Sequence, residues 1–152
     1  MDLTLAVTIL AIVLNGVLAG ASLDQSIKQL PARRKIGAVA YSAYSRAADL
    51  GNGIVWYAAL GIGAAVVTVG VAILVAVAPS AAVRSTPVYC AAVLSVLHTA
   101  VTTQAARANF SQRRLNQEGD LARVFDTFAQ WQNVRATLQL LTLLSLAVAL
   151  AR

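Results

Sequence analysis

Two ionisable residues stand where the chain is otherwise fit for lipid. The run from Phe128 to Leu141 reads FAQWQNVRATLQLL and continues as TLLSLAVALA, so Arg135 is the only charge between Phe128 and Ala151. The single histidine, His98, lies in another apolar stretch, on one helical stripe with Ser95 and Thr102 and beside Thr99 and Thr103. A guanidinium can hold an oxyanion, and an imidazole can exchange a proton near neutral pH. Inside a bilayer such groups are costly, about 3 kcal/mol for arginine on insertion scales, and usually face a cavity or a partner. Arg135 lies about two turns, roughly 10 Å, inside its segment. One alternative is that it snorkels to the head groups as an anchor. The other is that it points inward to Asp126, Asp49 or Asp24, to Asn15, Tyr57 or Gln139, or to the oxygen of a ligand.

The elements that must place these groups follow from composition. The 152 residues are 59% hydrophobic and 12% charged, against about half and roughly a quarter in a soluble domain. Four stretches can cross a hydrocarbon layer as helices, about 3–23, 53–78, 87–106 and 128–151, because a helix pairs its own backbone groups where water cannot. Strands are excluded by the length of the segments, their alanine and leucine content and the lack of period-two alternation. Ala19-Gly20-Ala21 resembles a signal-peptidase site, but the segment has no basic leader and begins with Asp2, so it is read as a retained span. The expected fold is an all-α integral membrane protein, a four-helix antiparallel bundle forming a single domain over 1–152.

Charge sets the expected orientation. Lys28, Arg33, Arg34, Lys35 and Arg46 fall between the first two spans, and Arg107, Arg113, Arg114 and Arg123 between the last two. The short connection 79–86 has Arg84 alone, and the ends have Asp2 and Arg152. The positive-inside rule therefore makes 24–52 and 107–127 cytoplasmic and puts both termini outside, in a membrane of the bacterial inner type. The Arg33-Arg34-Lys35 cluster is read as a topology signal that touches anionic head groups. Within 26–50, Ile36, Val39, Ala40, Ala43, Tyr44, Ala47 and Leu50 recur at helical steps. This face would either lie on the membrane surface or belong to an extension of the second span, jointed at Asn52-Gly53. Glu118-Gly119-Asp120 reads as a turn.

Polar stripes mark the inward faces. They comprise Thr4, Thr8, Ala11, Asn15, Ala19 and Ser22, with Gly16 and Gly20 beside them as a small-residue packing pair, then Tyr57, Gly61, Ala64 and Thr68, with Trp56 as an interfacial anchor. On the last span Phe128, Trp131 or Gln132, Arg135 and Gln139 share a face, with Asn133 and Thr137 adjoining. Cys90 has no partner for an internal disulfide, and one histidine makes no metal cage and supplies one of two axial haem ligands, so no cofactor is predicted.

Phe128, Trp131, Asn133 and Arg135 resemble the aromatic-Trp-Asn-Arg helix of small four-span proteins grouped as a domain of unknown function that includes anthrone oxygenases. Asn109 in the preceding linker and the glycine-rich first span followed by a basic segment fit the same plan. The resemblance implies oxidation of an aromatic, polyketide-like molecule by molecular oxygen without metal or flavin. It would make His98 the base and Arg135 the holder of the enolate oxygen, with Trp131 and Tyr57 as an aromatic floor and Asn15 and Asn133 as further substrate contacts. Two other classes compete. One is a non-catalytic structural or accessory subunit, a homo-oligomer or part of a larger complex, whose polar cluster only locks the helices. Transport is weaker, since no inverted repeat, broken helix pair or acidic relay is present. The direction taken by Arg135, into a cavity shared with His98 or out to the rim, separates the first two.

Overall fold

A computed structural model describes residues 2–151; Met1 and Arg152, the latter counted above among the charges at the chain ends, lie outside them. No strand occurs among the described residues. Helix α1 runs Leu3–Asp24, and its opening follows from Asp2, whose carboxylate accepts from the Thr4 and Leu5 amides at 2.9 and 3.3 Å. The chain then passes through a wide π-helical turn, Gln25–Gln29, into α2, Leu30–Ile36. Gly37 stops that rod with φ +85° and ψ 155°, a conformation costly for any residue with a Cβ. Helix α3, Ala38–Ala47, leads through a second π-helical stretch, Ala48–Asn52, into α4, Gly53–Val77. Helix α5, Ser85–Ser111, ends in a 3-10 turn at Gln112–Arg114, and α6 covers Glu118–Leu150.

Four rods result, Leu3–Ile36, Ala38–Val77, Ser85–Arg114 and Glu118–Leu150, each long and apolar enough to cross a membrane. Their 30 to 40 residues extend about 45–60 Å at helical rise, well beyond a hydrocarbon layer of about 30 Å. The surplus collects at one end, built from the linkers. The linkers are thus mostly helical: the residues up to Ile36 extend the first rod, and only the part of 26–50 from Ala38 onward extends the second, as one of the two alternatives had it. The break in that rod is at Gly51, whose φ −94° and ψ −117° leave the helical region. Gly53 follows because a Cβ there would lie 2.6 Å from the Ala48 carbonyl oxygen.

The buried face of α3 is Ala38, Tyr41, Ser42 and Ser45, so the apolar row with Val39 and Tyr44 faces outward. Two expectations are corrected. Glu118, Gly119 and Asp120 form the first turn of α6, where acids suit the helix dipole. The Glu118 carboxylate also accepts from the Ala38 and Val39 amides at 2.5 and 3.1 Å, so one helix caps the start of another. Finally, Gly16 and Gly20 are not a close helix crossing. A Cβ on Gly16 would meet only Leu143 at 3.9 Å, and one on Gly20 would meet nothing.

Helix α1 packs on α4 and α6, and α5 packs on α4 and most extensively on α6. The ends of the rods meet where the Thr4 hydroxyl donates to the Ala78 carbonyl at 3.1 Å and the Arg84 amide to the Ala149 carbonyl at 2.9 Å. An aliphatic core including Ala11, Val71, Val75, Val88 and Leu146 fills that end. A second core, with Leu30, Tyr41, Leu121, Phe125 and Phe128, fills the linker end, where Tyr41 and Phe125 meet edge-on at 4.9 Å. Several linker cations are structural. Arg33, its side chain only 10% exposed, pairs with Asp126, Arg46 donates to the Gln112 and Leu115 carbonyls, and Arg113 donates to the Leu50 carbonyl at 3.0 Å. Gly37→Ala and Gly53→Ala are each expected to lower stability by about 1–3 kcal/mol through backbone strain or overpacking. Thermal unfolding in detergent checks this against Gly119→Ala, at a helical position with open space around it, which is expected to be neutral or better.

Candidate functional site

Between the two apolar cores the helices separate around a partly open cavity of about 240 Å³, walled largely by carbon. Leu18 and Gln25 reach it from the first rod, Tyr57 and Gly61 from α4, His98 and Thr102 from α5, and Phe128 and Arg135 from α6. Asp49 joins them from the π-helical stretch before α4. The polar lining therefore comes from all four rods, and its ionisable groups from the last three.

Arg135 turns inward. Its guanidinium donates to the Gln25 side-chain oxygen at 3.2 Å, and its Nε is buried without a hydrogen-bond partner. Gln25 in turn donates from its amide nitrogen to Asp49 at 3.3 Å. An uncharged amide thus stands between the cation and the carboxylate, in contact with both. Asp49 is further held by the Ser45 hydroxyl at 2.9 Å. His98 is 4% exposed, and its Nε2 also has no partner. Buried polar atoms are nearly always satisfied, so two orphans on side chains that line one cavity single out this place in the bundle.

The cavity is bounded by polar layers along the helix axes. On the side of the chain ends, Asn15 donates to the Thr68 hydroxyl at 2.9 Å and accepts from Gln139 at 2.7 Å, a three-helix junction in which each residue is at most 1% exposed. On the linker side, Gln112 donates to Asn109 at 2.5 Å and to Ser45 at 3.2 Å, and accepts from Ser42 at 2.9 Å, all four being buried.

Of the residues singled out from sequence, His98, Arg135 and Tyr57 meet at the cavity. Asn15 is buried, but it belongs to the junction above and does not line the space. Trp131 and Asn133 are exposed and do not line it either. Helical phase is the reason: the buried face of α6 carries Phe128, Gln132, Ala136 and Gln139, and Trp131 lies about 100° away from Gln132. Gln132, the alternative to Trp131, instead donates to the Ser22 carbonyl at 3.0 Å. Sequence reasoning missed Gln25 as a member of the site, although it sits three residues beyond Ser22 on the first stripe. It took Asp49 only as a nearby acid. Among the described residues no cluster of three or more His, Cys, Asp or Glu is placed to hold a metal ion.

The chain matches no family model, no curated protein and no solved structure. The likeness to the anthrone oxygenase-like group therefore stands on the residues quoted for it. The Asn15 junction makes a prediction separate from the cavity: Asn15→Leu leaves Thr68 and Gln139 without their cross-helix partner and is expected to cost about 1–2 kcal/mol of stability. Unfolding in detergent would read this, and a variant as stable as the parent would show that the junction contributes nothing.

Proposed function

We propose that the chain is an integral membrane protein of four antiparallel spans that binds a flat, hydrophobic aromatic molecule, anthrone- or quinone-like, in the cavity between its two cores. The observation that carries this reading is the pair of buried polar atoms without partners, Arg135 Nε and His98 Nε2, on side chains that line one largely apolar space. Its volume of about 240 Å³ is near the lower end of small-molecule sites, which run from roughly 300 Å³ upward. The open side lets a ring system project beyond it. Orientation follows the basic linkers, with 24–52 and 107–127 in the cytoplasm and both termini outside.

Bound in this way, an anthrone is placed for oxidation. Its carbonyl oxygen lies at Arg135, and His98 takes a proton from the ring methylene opposite. The electron pair moves onto the oxygen, where the guanidinium stabilises it. The electron-rich carbon then reduces molecular oxygen. The resulting hydroperoxide loses water to leave a second carbonyl, so one methylene and one O₂ become one carbonyl and one water. Trp131 and Asn133, outside the cavity, have no part in this scheme, and Tyr57 supplies the aromatic wall.

Oxygen consumption by the purified protein with anthrone tests the chemistry. His98→Ala is expected to lower kcat roughly 100-fold or more, and Arg135→Ala by about 100- to 1,000-fold. Uptake no greater than that of Arg135→Ala would remove the catalytic step. Binding of the oxidised quinone, followed by quenching of Trp56 and Trp131 fluorescence, would then decide between a ligand-binding protein and an accessory subunit whose polar residues only lock the helices.

A further inference from the structure

Resting on the binding site just proposed, we infer that its occupant enters and leaves sideways from the hydrocarbon layer, between α4 and α5, and is a membrane-dissolved ring compound carrying an acidic oxygen. Three sides of the cavity are shut. The Asn15, Thr68 and Gln139 junction closes the side of the chain ends, and buried Ser42, Ser45, Asn109 and Gln112 close the linker side. Helix α6 covers the back, packed along α5 and against α1.

The remaining side is open because α4 stands away from the bundle over its first three turns. Its buried residues, Ala64, Thr68, Val71 and Val75, all lie in the later part, and none of residues 53–63 is buried. A Cβ on Gly61 would meet no atom within 4 Å. The cavity wall therefore continues out to the surface through Ile54 and Ala58 on α4 and Phe110 on α5, all exposed. Ala106 and Thr102 line the gap between them. Ile54, Ala58, Thr102 and Ala106 bring no charge to this rim, and Arg113, at its linker end, is held over the Phe110 ring at 5.0 Å and on the Leu50 carbonyl. Along the uncharged stretch a solute arriving from water would gain nothing, whereas one already dissolved among acyl chains crosses it without shedding a hydration shell. At the inner end the guanidinium of Arg135 and the ring of His98 suit a phenolic, enolic or carboxylic oxygen, while Asp49, which also lines the space, already accepts from Ser45 and Gln25.

The test uses the full chain in phosphatidylcholine nanodiscs and anthracene-9-carboxylate, a fluorescent ring acid, with rates followed by stopped flow. Ala58→Trp and, independently, Ile54→Trp are expected to slow association and dissociation together by about tenfold while the equilibrium Kd stays within about threefold. Val55→Trp, on the neighbouring face of α4 and 68% exposed, is expected to leave both rates unchanged. Unaltered rates in the two rim variants, or equal slowing by Val55→Trp, would overturn the lateral route. The binding site itself would stand in that case, provided the parent binds the probe and Arg135→Gln does not. A parent protein that fails to bind the probe overturns the site and the route together.

Discussion

A guanidinium that cannot shed its charge has been drawn among four helices, and the architecture around it accommodates that fact. In water, the charge would be solvated on every side. Here Arg135 finds one amide oxygen, on Gln25, and keeps Nε unmet. The nearby carboxylate of Asp49 is reached only through the same amide. Long-range attraction between the two charges survives this separation inside the bundle, while the buried Nε of the guanidinium has no acceptor. A direct ion pair would have made a more self-sufficient helix junction.

That arrangement explains why the interior is layered. Aliphatic packing at the chain-end side and aromatic packing at the linker side hold the rods together without help from the middle. Two hydrogen-bonded layers lie between these cores and the cavity, and they fix the rotation of each helix about its own axis. The cavity can therefore exist without the collapse that a void in a single continuous core would invite. The packed cores and the cavity are placed at different heights along the same four helices.

Much of this was legible in the sequence, and the boundary of what was legible has a physical cause. The stripe Thr4, Thr8, Ala11, Asn15, Ala19 and Ser22 is buried throughout, because small and polar residues on a lipid-bathed helix have no reason to recur at helical steps unless they meet another helix. His98 and Arg135 announced themselves by the cost of placing them there. Gln25 was passed over although it stands three residues beyond Ser22 on that stripe, because it falls where the apolar run has ended and the π-helical turn Gln25–Gln29 begins. Asp49 lies in the second such stretch, Ala48–Asn52, and was read only as an acid near a span. Trp131 was overvalued for a different reason. Its type suggested a binding surface, but Gln132, one position on, occupies the inward direction.

The same two turns carry a consequence for how this chain can change. Gln25 opens the first and Asp49 lies in the second, so the two side chains that face Arg135 are aimed by backbone that holds one residue more per turn than an α-helix does. Removing a single residue from either stretch would let it relax to ordinary α-geometry and swing everything beyond it by about 100°. Composition has latitude at the exposed Ile27 and Asn52 of these segments. Their length does not: an insertion or deletion of one would re-aim the amide or the carboxylate while leaving every span intact.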